Sequence, residues 1–202
     1  MKKFLCLLLS LCMLTFAACS DGDSSSGDSA DQNSIESTAA QGMLEGIKYG
    51  LGADADAVKE YYGKLASDYE AQHPQEEDDH SHDDAAPFFA EKQKEGYTVY
   101  DISTARFYFE NSKKDKGIAA IATDGEVFGF TPGVTAKYEV EEKITLKGKV
   151  VNAGESELSL LAVRTEPVII LRYEFENYQL DFYFYDNLLI TTAISNTKNW
   201  KI

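Results

Sequence analysis

Few side chains in this sequence are equipped for chemistry, and they fall in two places. All three histidines, His73, His80 and His82, lie in the stretch His73-Pro74-Gln75-Glu76-Glu77-Asp78-Asp79-His80-Ser81-His82-Asp83-Asp84, among six carboxylates. Imidazole and carboxylate are both zinc ligands, and a pliable loop can wrap them round an ion tetrahedrally. Zinc is therefore the one candidate cofactor. The competing reading is a solvated acidic loop with no cofactor, because like-charged runs usually stay open to water. The second place is cysteine. The chain has Cys6, Cys12 and Cys19, the first two inside an apolar run and the third just past its end.

That run has a recognisable layout. Lys2 and Lys3 precede an almost unbroken apolar segment from Phe4 to Phe16, and the small residues Ala17 and Ala18 follow. This is the order of an export signal, and it is too short for a membrane-crossing helix, which needs about 20 apolar residues. Phe16-Ala17-Ala18-Cys19-Ser20 resembles the lipobox of bacterial lipoprotein precursors. The resemblance implies cleavage after residue 18 and a palmitate-type diacylglyceryl anchor on Cys19, which holds the chain at the extracytoplasmic face of the cell membrane. Cys19 would then be the one cysteine left, so no disulfide is possible within the mature chain, and stability must come from a core. The His-containing stretch in turn looks like the His/Asp-rich loops of some zinc-binding envelope lipoproteins.

Charge narrows the partners. The formal net charge is −15, and losing residues 1–18 removes two lysines and no acid, leaving −17. A body this acidic repels phosphate backbones and anionic lipid surfaces, so nucleic acid is excluded and the membrane is reached through the lipid. An enzyme is also not expected. No histidine lies outside the acidic stretch, and there is no Gly-x-Ser-x-Gly elbow and no Gly-rich phosphate cradle with Lys. Gly50-Leu51-Gly52-Ala53-Asp54-Ala55 only superficially matches a dinucleotide fingerprint, and Asp54 would face an anionic pyrophosphate.

The elements follow from periodicity. Residues 19–37 are rich in Ser, Asp and Gly and read as a flexible tether. Gly46 to Gly52 reads as a short strand and turn. Asp54 or Asp56 then caps a helix whose Val58, Tyr61, Tyr62, Leu65 and Tyr69 recur at helical spacing, predicting a core-facing side. Tyr97 to Ser103, Ala105 to Asn111 and Gly117 to Thr123 read as strands, with a fourth from Gly125 to Phe130. A second helix is expected from Thr135 to Ile144, and Leu146 to Gly154 is ambiguous. The strongest β signal lies at Pro167 to Phe175, Gln179 to Asp186 and Leu188 to Ser195.

The halves echo each other. Phe107-Tyr108-Phe109 parallels Phe182-Tyr183-Phe184, about 75 residues on, longer than most solenoid periods. The expected fold class is α+β: two tandem repeats, 38–130 and 131–202, each a helix plus an antiparallel meander, with the helices on one face of the sheet. The pattern, over roughly Gly46 to Asn196, resembles the β-lactamase inhibitor protein-like fold, whose unit the SmpA/OmlA-type outer-membrane lipoproteins carry in single copy. That resemblance implies binding to an envelope or secreted protein. Alternation would aim Phe107, Phe109, Leu171, Tyr173, Phe182 and Phe184 at the helices. It leaves Arg106, Tyr108, Arg172, Asp181, Tyr183 and Tyr185 on an open face suited to a protein partner, since Tyr and Arg bury large area and keep a polar end.

Overall fold

In the computed structural model, residues 35–72, 88–94, 96–152 and 168–196 are described. Cys19, the apolar run before it, and His73, His80 and His82 lie outside the described residues. Eight strands carry the architecture: β1 (Phe89–Lys94), β2 (Tyr97–Ile102), β3 (Ala105–Glu110), β4 (Ile118–Thr123), β5 (Lys149–Asn152), β6 (Ile169–Glu174), β7 (Tyr178–Tyr185) and β8 (Leu188–Asn196). They form one antiparallel sheet in the order β1-β2-β3-β4-β8-β7-β6-β5. The β4–β8 pairing at the centre, with Ile121 opposite Ile194 and Ala122 opposite Ala193, makes the sheet continuous.

This corrects the expectation of two helix-plus-meander repeats. The fold is dominated by a single eight-stranded sheet, with three α-helices among the described residues: α1 (35–40), α2 (Ala55–Gln72) and α3 (Lys137–Lys143). The physical reason lies in what each element can bury. α3 is seven residues long and buries Val140, and the eighteen residues of α2 bury only Val58 and Ala66. By contrast, all six residues of β4 and the six inner residues of β7 are buried. Among the described residues, no helix is long and apolar enough to cross a membrane.

Apolar side chains gather on both faces of the sheet. On the helix side, Phe107, Phe109, Ile121, Tyr173, Phe182 and Phe184 pack with Ile35, Leu44, Val58 and Val140. On the other side, Tyr97, Val99, Tyr108, Ile170 and Tyr183 pack with Ala120, Ala122 and Ala193. The alternation therefore runs from one apolar cluster to another rather than from core to water, as expected of strands buried on both faces.

Local chemistry sets the boundaries. Asp54 caps α2: its Oδ1 accepts the N–H groups of Asp56 at 2.9 Å and Ala57 at 3.1 Å. Ala136 is the N-cap of α3, and Glu139 reaches back to accept the Ala136 N–H at 2.6 Å. Asp186 and Asn187, both at positive φ, turn β7 into β8, a conformation these two residue types tolerate. The stretch expected as a fourth strand, Gly125 to Phe130, is a tight turn closed by a Val127–Phe130 bridge, with Phe128 and Gly129 at positive φ.

The segment ahead of α2 is fastened to the sheet. The expected tether ran to Ser37, but residues 35–37 belong to α1, where Ile35 and Ala39 are buried. Glu36 accepts hydrogen bonds from the Thr145 and Leu146 N–H groups, both at 3.0 Å, and from the Thr145 hydroxyl. Further on, the chain from Gly46 to Gly52 forms turns rather than a strand. Gly52 donates to the Ile118 carbonyl at 2.8 Å and Ile118 donates to Ala53 at 2.9 Å. The chains come this close because Gly117 has no side chain: a Cβ there would lie 2.3 Å from the Gly52 oxygen.

Candidate functional site

Strand register brings the six residues expected on a binding face to one side of the sheet. Asp101 stands opposite Arg106, Arg172 opposite Asp181, and Tyr183 opposite Thr191. Their exposure differs from the expectation. Tyr108, Asp181 and Tyr183 are buried, at 1%, 2% and 1%, while Arg106, Arg172 and Tyr185 are partly covered. The charged groups are engaged with one another. Arg172 Nε and Nη2 grip both carboxylate oxygens of Asp181 at 2.8 and 2.7 Å, and Gln179 adds a contact at 3.3 Å. Arg106 donates to Asp124 at 2.6 Å, and Thr191 donates to the same oxygen at 2.7 Å.

The middle of this side of the sheet is therefore a buried polar ladder over an alanine floor, with Asp124 at its open margin. Burial decides its electrostatics: removed from water, the Tyr108 hydroxyl is pushed up to about 12. On the helix side, Tyr173 is also raised by burial. Both rings stay neutral, which suits packing rather than proton transfer at ordinary pH.

A different surface is open. Along α2 the core stripe is Val58, Tyr62 and Ala66, and Tyr62 lies 5.6 Å from Phe107, ring to ring. Tyr61 and Leu65 were expected on that stripe but are 39% and 44% exposed. One turn apart, they form a neighbouring stripe. Tyr49 leans against them, its hydroxyl donating to the Ala57 carbonyl at 3.2 Å. Tyr49, Tyr61 and Tyr62 meet edge to face at 5.9, 6.1 and 5.0 Å between centroids. The Lys48 ammonium sits 3.8 Å from the centre of the Tyr61 ring. Tyr49 and Tyr61 edge an open cleft of about 430 Å³ that Ala57, Glu60, Lys64, Leu65 and Asp68 complete. The signal was in the sequence as the i, i+4 pair Tyr61 and Leu65, but it was read as part of the core.

Among the described residues, which do not include His73, His80 or His82, no group of three or more His, Cys, Asp or Glu is placed to hold an ion. No protein-family model matches the chain, and no curated protein matches it. Among solved structures, the chain is similar to the crystal structure of a DUF4309 family protein, YjgB, from Bacillus subtilis. The identity is 14% and the TM-score 0.45, over 85% of this chain and 100% of that one.

Proposed function

We propose that this chain is a lipid-anchored extracytoplasmic lipoprotein that works as a non-catalytic, protein-binding module of the cell envelope. The observation that carries the reading is Phe16-Ala17-Ala18-Cys19 at the end of a short apolar run led by Lys2 and Lys3. Acylation of Cys19 would attach the sheet to the membrane without touching its core, and two or more acyl chains anchor stably where one does not. Contact rather than catalysis is supported by where the polar groups are. Arg172 and Asp181 hold each other, Arg106 holds Asp124, and the open aromatic surface lies on α2. The test is metabolic labelling with an alkyne palmitate analogue. The chain should label and fractionate with membranes, and Cys19→Ala should do neither. A labelled Cys19→Ala chain would overturn the anchor.

A second reading is zinc capture by His73, His80 and His82, favoured by the concentration of every histidine of the chain in one acidic stretch. Ligand binding to the folded form raises thermal stability. Zinc should then raise Tm in the full chain and leave a His73→Ala, His80→Ala, His82→Ala variant unmoved. Equal shifts in both would reject it.

A further inference from the structure

We infer that the cleft on α2 takes a basic segment of a partner protein, with an arginine or lysine side chain lying on the Tyr61 ring. This rests on the protein-binding reading above and names the surface and the chemistry. The first observation is that the ring already carries a cation: Lys48 Nζ lies 3.8 Å from the Tyr61 centroid and 5.9 Å from that of Tyr49. A ring face within about 6 Å of an ammonium attracts it through its quadrupole, and guanidinium stacks there at least as well. The chain's own lysine shows that this ring holds a cation against its face.

The second observation is the apolar surface beside the ring. Leu65 is 44% exposed one helical turn from Tyr61, so the methylene stem of a long basic side chain has something to lie on while its head reaches the aromatic face. The third is charge. Glu60 has no ion pair among the described residues, and Asp68 is tied only to Lys64 by an exposed pair at 3.0 Å. Exposed pairs of this kind exchange at little cost. With a formal charge of −15 over the whole chain, encounter with a basic segment is steered and encounter with an acidic one is opposed. Lys48 is then a resident competitor that the incoming side chain displaces.

The experiment measures binding of labelled hexa-arginine to the full chain in detergent micelles at physiological ionic strength, by fluorescence anisotropy. Tyr61→Ala and Tyr61→Leu should each weaken binding roughly fivefold, Tyr61→Phe should keep it, and Lys48→Ala should tighten it. Tyr61 and Lys48 are at the surface, so these variants leave the core intact. Wild-type binding by Tyr61→Leu would show that bulk acidity alone holds the peptide and would overturn the site. So would tightening by hexa-glutamate, or self-association of the chain that Tyr61→Ala abolishes. Palmitate labelling reads the anchor separately. A labelled protein with no Tyr61 dependence loses this site and keeps the anchor, and an unlabelled one with full Tyr61 dependence does the reverse.

Discussion

At the scale of single residues, Asp181 is the most committed side chain in the molecule. Its carboxylate is nearly sealed from water and is held at both oxygens by Arg172, whose side chain is itself only 15% exposed. A buried pair loses most when one partner goes, because the survivor keeps its desolvation cost without its counter-charge. Asp181→Ala should therefore cost about 3–5 kcal/mol in urea unfolding, whereas Arg172→Met with Asp181→Leu should fall far closer to wild type. Tyr108 sets a pH limit. An unfolded tyrosine ionises near 10, but this one is held protonated to about 12. The contribution of Tyr108 to folding stability is thus fully present below about pH 10 and drains away as pH rises from there through 12. Alkaline titration followed by tyrosinate absorbance should show a fraction of the rings ionising only as the fold is lost. Smooth ionisation of every ring at pH 10 with the fold intact would contradict the burial.

Glycines distinguish the roles of elements. Gly117 adopts a φ of +72°, and a Cβ would meet the Gly52 carbonyl oxygen at 2.3 Å. Gly117→Ala should push the segment ahead of α2 off the end of β4 and cost at least about 2 kcal/mol. Gly63, inside α2, has nothing within 4 Å of its Cβ position, so Gly63→Ala should gain about 0.5–1 kcal/mol. Thermal melts of the two variants should move in opposite directions. The same elements show what sequence can reveal. Aromatic and β-branched alternation marked β2, β3, β4, β6, β7 and β8 closely, and it assigned Phe107, Phe109, Phe182 and Phe184 to the helix side. β1 was missed because its sequence, Phe-Ala-Glu-Lys-Gln-Lys, is charged. A strand at the edge of a sheet is pinned by its backbone and carries lysines that discourage further pairing. The helices were overweighted because propensity says nothing about how little of α2 would be buried.

For the whole molecule, the misreading of the sheet's second face has one cause. Period-two alternation tells which residues share a side, but not whether that side meets water. Tyr and Arg at Tyr108, Tyr183 and Arg172 fit a wet face as well as a buried polar ladder, and the alanines at positions 120, 122 and 193 were the overlooked sign of close packing. The open aromatic surface lies on α2, where Tyr61 and Leu65, one turn apart, stand outside the core that their spacing predicts for them. The proposed attachment signal is of another kind. It depends on a short linear pattern ending at Cys19, independent of how the sheet folds, and the strong negative charge that cleavage would leave fits the proposal of a body held clear of an anionic membrane. The most direct test of the lipoprotein account is intact mass and N-terminal peptide analysis of the chain recovered from membranes. The account predicts a polypeptide that starts at Cys19 and carries a diacylglyceryl group on its sulfur. A mature chain with an unmodified Cys19 thiol, or one that starts elsewhere and is found free in the medium, would contradict it.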